Sequence, residues 1–434
     1  MGITQLRFTG YFLVGCLLTS FAAAPVRADS CQDLRDFGDT LRWAIPVTAL
    51  GLTALKRDKQ GAVQFGKTAV LTGAATGFFK YVGDKTRPDA RTSRESFVSG
   101  HVSGATMGAA FMYTRYGKAW GIPAYALAAL TAYSRVCASK HFADDVLGGA
   151  MVAMFANWYA TSPYPDRGML SPSFTSNGLE LSWSTAFGGN REAADPLNFD
   201  PRYRVVFEFG PVVQDKNIVR APNNGGTEID LANLETEFHM TARMLFERYL
   251  SERSEFTVWY GPLGMTDFGD PTEPFTVGDV TFDPSSPDAE IFDTNYRWID
   301  WRFSYRYNLI KNERFTARVG AGIQYSKTQF EVEQRDAAGV ITAGSKVRVE
   351  EVFPTIHLSG AFRFSPRWSI EADLDGMSFD DADYWNAGVF VRWRPSSIWD
   401  LALGGRFING ELSSDRMYNN VELSDITFQI GRSF

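Results

Sequence analysis

Phe315-Thr316-Ala317-Arg318-Val319-Gly320-Ala321-Gly322-Ile323-Gln324-Tyr325-Ser326 sets an apolar residue at every second position. A period of two places successive side chains on opposite faces of a strand. The same reading holds for Ile299, Trp301, Phe303, Tyr305, Tyr307 and Leu309, which alternate with Asp300, Arg302, Ser304, Arg306 and Asn308. It holds again for Trp368, Ile370, Ala372 and Leu374, interleaved with Ser369, Glu371, Asp373 and Asp375. Soluble antiparallel sandwiches alternate too, but they pack aliphatics. Here aromatics, 14% of the 434 residues, gather at segment ends as interfacial girdles do. An apolar face opposite a charged one is the lipid-out, lumen-in pattern of a transmembrane barrel.

The connections sharpen that reading. Short turns fall at 251–253, 311–312, 365–366 and 395–397, and long polar loops at 264–294, 331–346 and 410–420; the loop at 379–383 is short for its class. Short turns alternating with long loops characterise bacterial outer-membrane barrels. The ending Ile426-Thr427-Phe428-Gln429-Ile430-Gly431-Arg432-Ser433-Phe434 resembles the terminal strand that the barrel-assembly machinery reads. Counting back gives ten strands from Tyr203 onward, and Leu179–Phe187 would make eleven. Such barrels have even numbers. Leu170–Ser176 therefore supplies a twelfth strand, the favoured count, or the 179–187 segment lies outside and ten remain.

The N-terminal part reads differently. Arg7, the apolar run Tyr11–Ala24 and Val26-Arg27-Ala28 before Asp29 read as a signal peptide over residues 1–28. Leu13-Val14-Gly15-Cys16 resembles a lipoprotein box, but the apolar run continues past Cys16. Apolar, Ala/Gly-rich stretches then recur at 43–55, 68–79, 102–113, 122–133 and 146–160. Runs of this length suit buried core helices rather than spans. Ser162-Pro163-Tyr164-Pro165-Asp166 breaks the pattern. The expected architecture is multidomain: an all-α helical bundle over 29–165, then an antiparallel barrel over 166–434. Cys31 and Cys137 either form a disulfide, which an exported chain permits, or remain a free thiol and a small buried hydrophobe. A net charge of −7 leaves no general nucleic-acid footprint.

Three blocks carry chemistry: Lys80 to Arg87-Pro88, Val98-Ser99-Gly100-His101, and Ser134-Arg135 through His141 to Asp145. A transferring phosphoryl group spreads negative charge over three oxygens and wants several fixed donors. Lys80, Arg87 and Arg135 supply cations. Ser99 and Gly100 sit where a loop enters a helix, a natural anion site, and Gly100 allows close backbone approach. His141 and Asp145 are four apart on a predicted helix, so the carboxylate can orient the ring for attack on phosphorus. His101 remains to protonate the leaving oxygen. Taken singly, each feature has a bland reading as a cap, a turn or a solvated charge. Two of the four histidines fall in these blocks, whereas His239 and His357 lie on polar strand faces and read as lumen residues without a catalytic role.

Together the blocks resemble the type-2 phosphatidic acid phosphatase superfamily. Its pattern is Lys, six residues, Arg-Pro; then Pro-Ser-Gly-His; then Ser-Arg, five residues, His, three residues, Asp. The first and third blocks fit fully. The second has Val98 where Pro is usual, from which altered loop rigidity is expected rather than lost chemistry. The resemblance covers about residues 40–165. It implies His141 as a nucleophile forming a phosphohistidine, Asp145 as its orienting partner and His101 as general acid. Lys80, Arg87, Ser99, Gly100 and Arg135 would form the phosphate cradle, with no metal or other cofactor. Vanadium haloperoxidases share that cradle but are generally longer around it.

The expectation is a periplasmic phosphatase tethered to the outer membrane by its barrel. It would act on lipid phosphates or on a small soluble phosphate ester. Its partners would be outer-membrane lipids and, during biogenesis, the barrel-assembly machinery. The competing class is a pore or transporter with a helical plug, although a barrel of ten to twelve strands leaves little lumen. A lipid A-modifying enzyme acting outside the cell is disfavoured by the domain order.

Overall fold

The computed structural model describes residues 31–83, 85–89, 93–164, 169–175, 178–184, 202–222, 224–234, 239–269, 271–286, 291–379 and 382–433. The expected signal peptide and the terminal Phe434 lie outside them. Five helices come first among the described residues: α1 Cys31–Leu55, α2 Lys59–Gly83, α3 Gly100–Tyr116, α4 Lys118–Cys137 and α5 Ala143–Ala160. They are longer than the apolar stretches because polar turns extend them. None is long and apolar enough to cross a membrane. The strands are β1 Met169–Thr175, β2 Gly178–Ser184, β3 Tyr203–Arg220, β4 Glu228–Asp230, β5 His239–Tyr249, β6 Ser254–Gly269, β7 Phe275–Val277 and β8 Val280–Phe282. There follow β9 Ile291–Lys311, β10 Phe315–Arg335, β11 Ile341–Arg363, β12 Trp368–Phe379, β13 Ala382–Trp393, β14 Trp399–Ser413 and β15 Tyr418–Ser433. The chain divides into two units. The segments Gly83–Glu95 and Phe142–Asp144 group with the barrel, and the rest of the helical half forms the other unit.

In the helical unit, α1 buries Leu34, Leu41, Ile45, Ala49 and Leu52, a stripe at helical spacing. It packs on Ala105, Ala109 and Met112 of α3 and on Ala124 and Ala128 of α4. Small residues set the approach. A Cβ on Gly108 would fall 2.7 Å from the Pro46 nitrogen and 2.9 Å from the Ile45 carbonyl carbon. At the end away from the motif blocks, Arg115 grips Asp58 through two bonds of 2.7 Å and donates to the carbonyls of Ser162 (3.0 Å) and Pro163 (2.9 Å). A buried guanidinium with every arm engaged avoids the penalty of an unpaired charge. Cys31 and Cys137 form a disulfide, with Cα atoms 5.4 Å apart, joining the start of α1 to the end of α4.

The barrel is closed. β3, β5, β6 and β9 to β15 pair in chain order, and β15 pairs with β3 from Tyr418↔Arg220 to Ser433↔Arg204. That gives ten strands, the alternative count rather than the favoured twelve. The reason is that β1 and β2 pair only with each other, leaving no gap between β3 and β15. The supposed loop at 331–346 is mostly ladder, because pairing continues through Glu331↔Lys346 to Gln334↔Ala343. Outward residues such as Phe303, Tyr305, Leu309, Ile356 and Leu403 are exposed.

The lumen holds paired charges. Arg302 meets Asp375 (2.5 Å), Arg392 meets Glu371 (2.8 Å), Arg406 meets Asp373 (2.9 Å) and Arg243 meets Asp425 (2.6 Å). His239 and His357 are buried there as read, His357 between Asp375 (2.8 Å) and Ser359 (2.9 Å). Toward the long connections the interior turns apolar, with Met265, Tyr296, Phe330 and Val332 packed against Val277 and Phe282 of the β7–β8 ribbon. The sequence pattern gave no sign of that plug.

The disulfide closes a loop of 106 residues, and loops near that size gain roughly 4–5 kcal/mol from lost unfolded-state entropy. Reductant should therefore lower the thermal midpoint of the helical unit. A midpoint that ignores reductant, with the bond shown intact beforehand by mass spectrometry, would contradict this.

Candidate active site

α3 begins at Gly100, with Ser99 as its N-cap, so the second block does sit at a helix start. The Ser99 side chain makes no capping bond. Its hydroxyl is fully buried and has no hydrogen-bond partner among the described residues. The Ser99 amide donates to the Asp145 carbonyl at 2.9 Å, and Ser96 Oγ donates to Asp145 Oδ2 at 2.5 Å. The third block is thereby locked against the second.

This closeness demands glycine on α5. A Cβ on Gly149 would lie 2.6 Å from the Ser99 carbonyl oxygen, and one on Gly148 would lie 2.8 Å from Val98 Cγ1. Val98, the departure from the family pattern, is itself buried. Lys80, in the last turn of α2, reaches the same place: its Cε lies 3.9 Å from where a Cβ on Gly100 would be.

His141 is not on a helix. It lies in the turn before α5, which starts at Ala143; its amide bonds the Arg135 carbonyl at 3.4 Å. The link to Asp145 survives this correction. Nδ1 and Oδ2 are 3.7 Å apart, with both side chains buried, a spacing that a ligand-bound site can shorten. Asp144, next in sequence, belongs to a different arrangement. Lys85 Nζ donates to its Oδ2 at 2.6 Å and sits 4.8 Å from the Phe142 ring centre. Arg87 lies on the Gly83–Glu95 segment; its amide donates to the Ser93 carbonyl at 3.1 Å. Its Nε has no hydrogen-bond partner among the described residues.

Sequence reasoning found the apolar part of α1 but missed its first turns, which bring Asp39 and Arg42 to the site. Asp39 Oδ1 stands 2.8 Å from His101 Nε2 and 2.7 Å from Arg135 Nη1. Arg42 Nη1 is 2.9 Å from the same His101 nitrogen, and Arg135 Nη2 donates to the Arg35 carbonyl at 2.5 Å. The available signal was Asp39 and Arg42, opposite charges three apart and so on one helical face. Burial pushes His101 down to about 4, with Arg135, Arg42 and His141 adding repulsion and Asp39 opposing. Burial likewise lowers Arg135, against Asp39. No group of three or more metal-ligating side chains occurs among the described residues. The arrangement is a cationic seat at a helix N-terminus flanked by two histidines, suited to an anion that needs attack and protonation.

Comparison with known proteins bears on this. Residues 61–168 match the PAP2 superfamily. The Lipid A 4'-phosphatase of Helicobacter pylori is 34% identical over 162 residues, 33% of this chain and 78% of that protein. The Lipid A 1-phosphatase of Porphyromonas gingivalis is 33% identical over 87 residues, 19% of each chain. Among solved structures, LpxE of Aquifex aeolicus aligns with TM-score 0.27 and 18% identity, covering 33% of this chain and 92% of that one. The outer membrane protease OmpT of Escherichia coli aligns with TM-score 0.34 and 10% identity, covering 55% of this chain and all of that one.

Gly149→Ala should force α5 away from Ser99 and misplace Asp145 and His141. Displacements near 1 Å cost on the order of 100-fold in turnover. Hydrolysis of a chromogenic phosphate ester, with circular dichroism to show retained helix, measures this; unchanged turnover would contradict the contact.

Proposed function

The chain belongs to the PAP2 superfamily, and on that premise we propose that it is a metal-independent phosphatase that cleaves phosphate monoesters, chiefly lipid phosphates, through a phosphohistidine. The observation that carries the reading is the convergence of His141, Asp145, Ser99, Gly100, His101, Arg135 and Lys80 on the start of α3. In this mechanism the cations and the first-turn amides hold the phosphate oxygens. His141 attacks phosphorus, Asp145 stabilising the charge it gains. His101 gives its proton to the departing alkoxide, which leaves as an alcohol. Water then attacks the phosphohistidine, returning a proton to His101 and releasing phosphate. Arg87 is assigned to the cradle by its place in the motif.

The lipid preference rests on the outer face of α1. Asp33, Asp36 and Thr40 open that face, and from Trp43 onward it becomes apolar while staying exposed: Trp43 63%, Val47 65% and Leu50 47%. The turn lies next to Arg42, itself at His101. An acyl chain could follow the stripe while its phosphate occupies the seat. We assign residues 29–165 to catalysis and the barrel to anchorage in an outer membrane, the helical unit on its periplasmic side. Paired charges and an apolar plug in the lumen favour an anchor over a pore.

If His141 is the nucleophile, brief exposure to labelled substrate should trap an acid-labile phosphoenzyme. His141→Ala should remove both label and turnover, by at least about 1,000-fold. Excess chelator should change neither, and vanadate should inhibit. A phosphoenzyme that persists in His141→Ala would reverse the assigned roles, and activity that needs an added divalent ion would defeat the metal-free mechanism. For the lipid stripe, Trp43→Ser with Val47→Ser should raise KM for a lipid phosphate in micelles about tenfold. The same variant should leave p-nitrophenyl phosphate hydrolysis intact. Equal losses on both substrates would reject the stripe.

A further inference from the structure

His101 Nε2 faces two groups with opposite demands. Asp39 Oδ1 is 2.8 Å away and Arg42 Nη1 is 2.9 Å away. A carboxylate only accepts, and a guanidinium only donates. A ring nitrogen either carries a hydrogen and donates or exposes a lone pair and accepts. Nε2 can therefore satisfy one neighbour at a time, and whether it carries a hydrogen decides which. Both residues lie on α1, three apart on one face, and α1 up to Leu55 precedes the 61–168 segment matched by the family.

We propose that Asp39 and Arg42 are positioning residues that hold His101 in its protonated and neutral forms in turn, so that it can first give up and then regain the proton of the reaction. The inference rests on the reading of His101 as proton donor. As the P–O bond of the ester breaks, the Nε2 proton of His101 passes from Asp39's side to the leaving oxygen, and the bare Nε2 of the now neutral ring accepts from Arg42. When water attacks phosphohistidine, its proton returns to His101, and the N–H turns back to Asp39. The other charges facing the ring are Arg135 from α4, itself paired with Asp39 at 2.7 Å, and His141 from the turn before α5. Arg135 is fixed by Asp39 and the Arg35 carbonyl. Asp39 is 43% exposed and Arg42 adjoins the surface residue Trp43. Replacing either leaves the buried face of α1 intact.

The test is the pH profile of kcat/KM, which reports the free enzyme's acid and base, measured on the full-length protein. The substrate is an alkyl phosphate, whose poor leaving group needs the proton. Asp39→Asn removes the anion, so His101 loses its proton earlier and the descending limb should move to lower pH. Arg42→Gln removes a cation, so the limb should move to higher pH. Contacts at this distance and exposure are worth roughly one pH unit each way. The double variant should fall near wild type, and Asp39→Glu and Arg42→Lys should restore their limbs. With p-nitrophenyl phosphate, which leaves without help, the shifts should shrink. A purely structural role would lower rates without moving the limbs in opposite directions. Active variants with unmoved limbs, or limbs that move the same way, overturn the proposal. A wild-type chain inert toward p-nitrophenyl phosphate would overturn the phosphatase reading as well.

Discussion

Asp145 makes three contacts that tie the candidate site together. Its carbonyl takes the Ser99 amide, its carboxylate takes the Ser96 hydroxyl, and the same carboxylate stands beside the His141 ring. A fully buried carboxylate is costly unless its oxygens are engaged. Meeting that requirement fixes the loop before α3 against the start of α5. The start of α3, the proposed phosphate seat, is placed by the same residue that stands beside His141, the proposed nucleophile. Gly148 and Gly149 are the steric condition, since no larger residue permits the approach. Orientation and binding share one joint, so their geometries cannot drift independently.

The two units solve burial in opposite ways. In the helical unit, small residues let helices close on one another and polar atoms concentrate at two sites, the histidines at one end and Arg115 with Asp58 at the other. In the barrel the apolar surface faces outward and the charges face in. Isolated inward charges would be prohibitive, and the arginines instead meet aspartate or glutamate across the lumen. Closure through β15 and β3 removes the exposed edges an open sheet would offer. The interior is thus a polar core of paired charges with an apolar stopper.

Much of this was legible in the residues, for identifiable reasons. Alternation of the kind in 315–326 reports a strand directly, because side-chain direction follows parity. Strand number was less legible. The segments that became β1 and β2 alternate as barrel strands do, and only pairing partners tell a hairpin from two staves. The motif blocks singled out His101, His141 and Asp145 as candidates because their residue types and spacing are chemically demanding, and the fold brings these three near one another. The helical placement of His141 failed, since i to i+4 spacing also brings residues together across a turn that enters a helix. Asp39 and Arg42 escaped notice because nothing local distinguishes a site-facing charge from a solvated one. Their meaning appears only when α1 packs against α3 and brings Asp39 and Arg42 to His101.

The disulfide has a topological result beyond stiffness. The span it closes, 31 to 137, contains Asp39, Arg42, Lys80, Arg87, Ser99, Gly100, His101 and Arg135, while His141 and Asp145 follow just outside it. A protease that severed the chain at the exposed Arg57, between α1 and α2, would therefore not free a fragment. The two pieces would stay in one covalent molecule, with α1 and its Asp39 and Arg42 held to the end of α4 through sulfur instead of backbone. Such a nick would be invisible on a non-reducing gel and would split the protein into two bands only once the bridge is reduced.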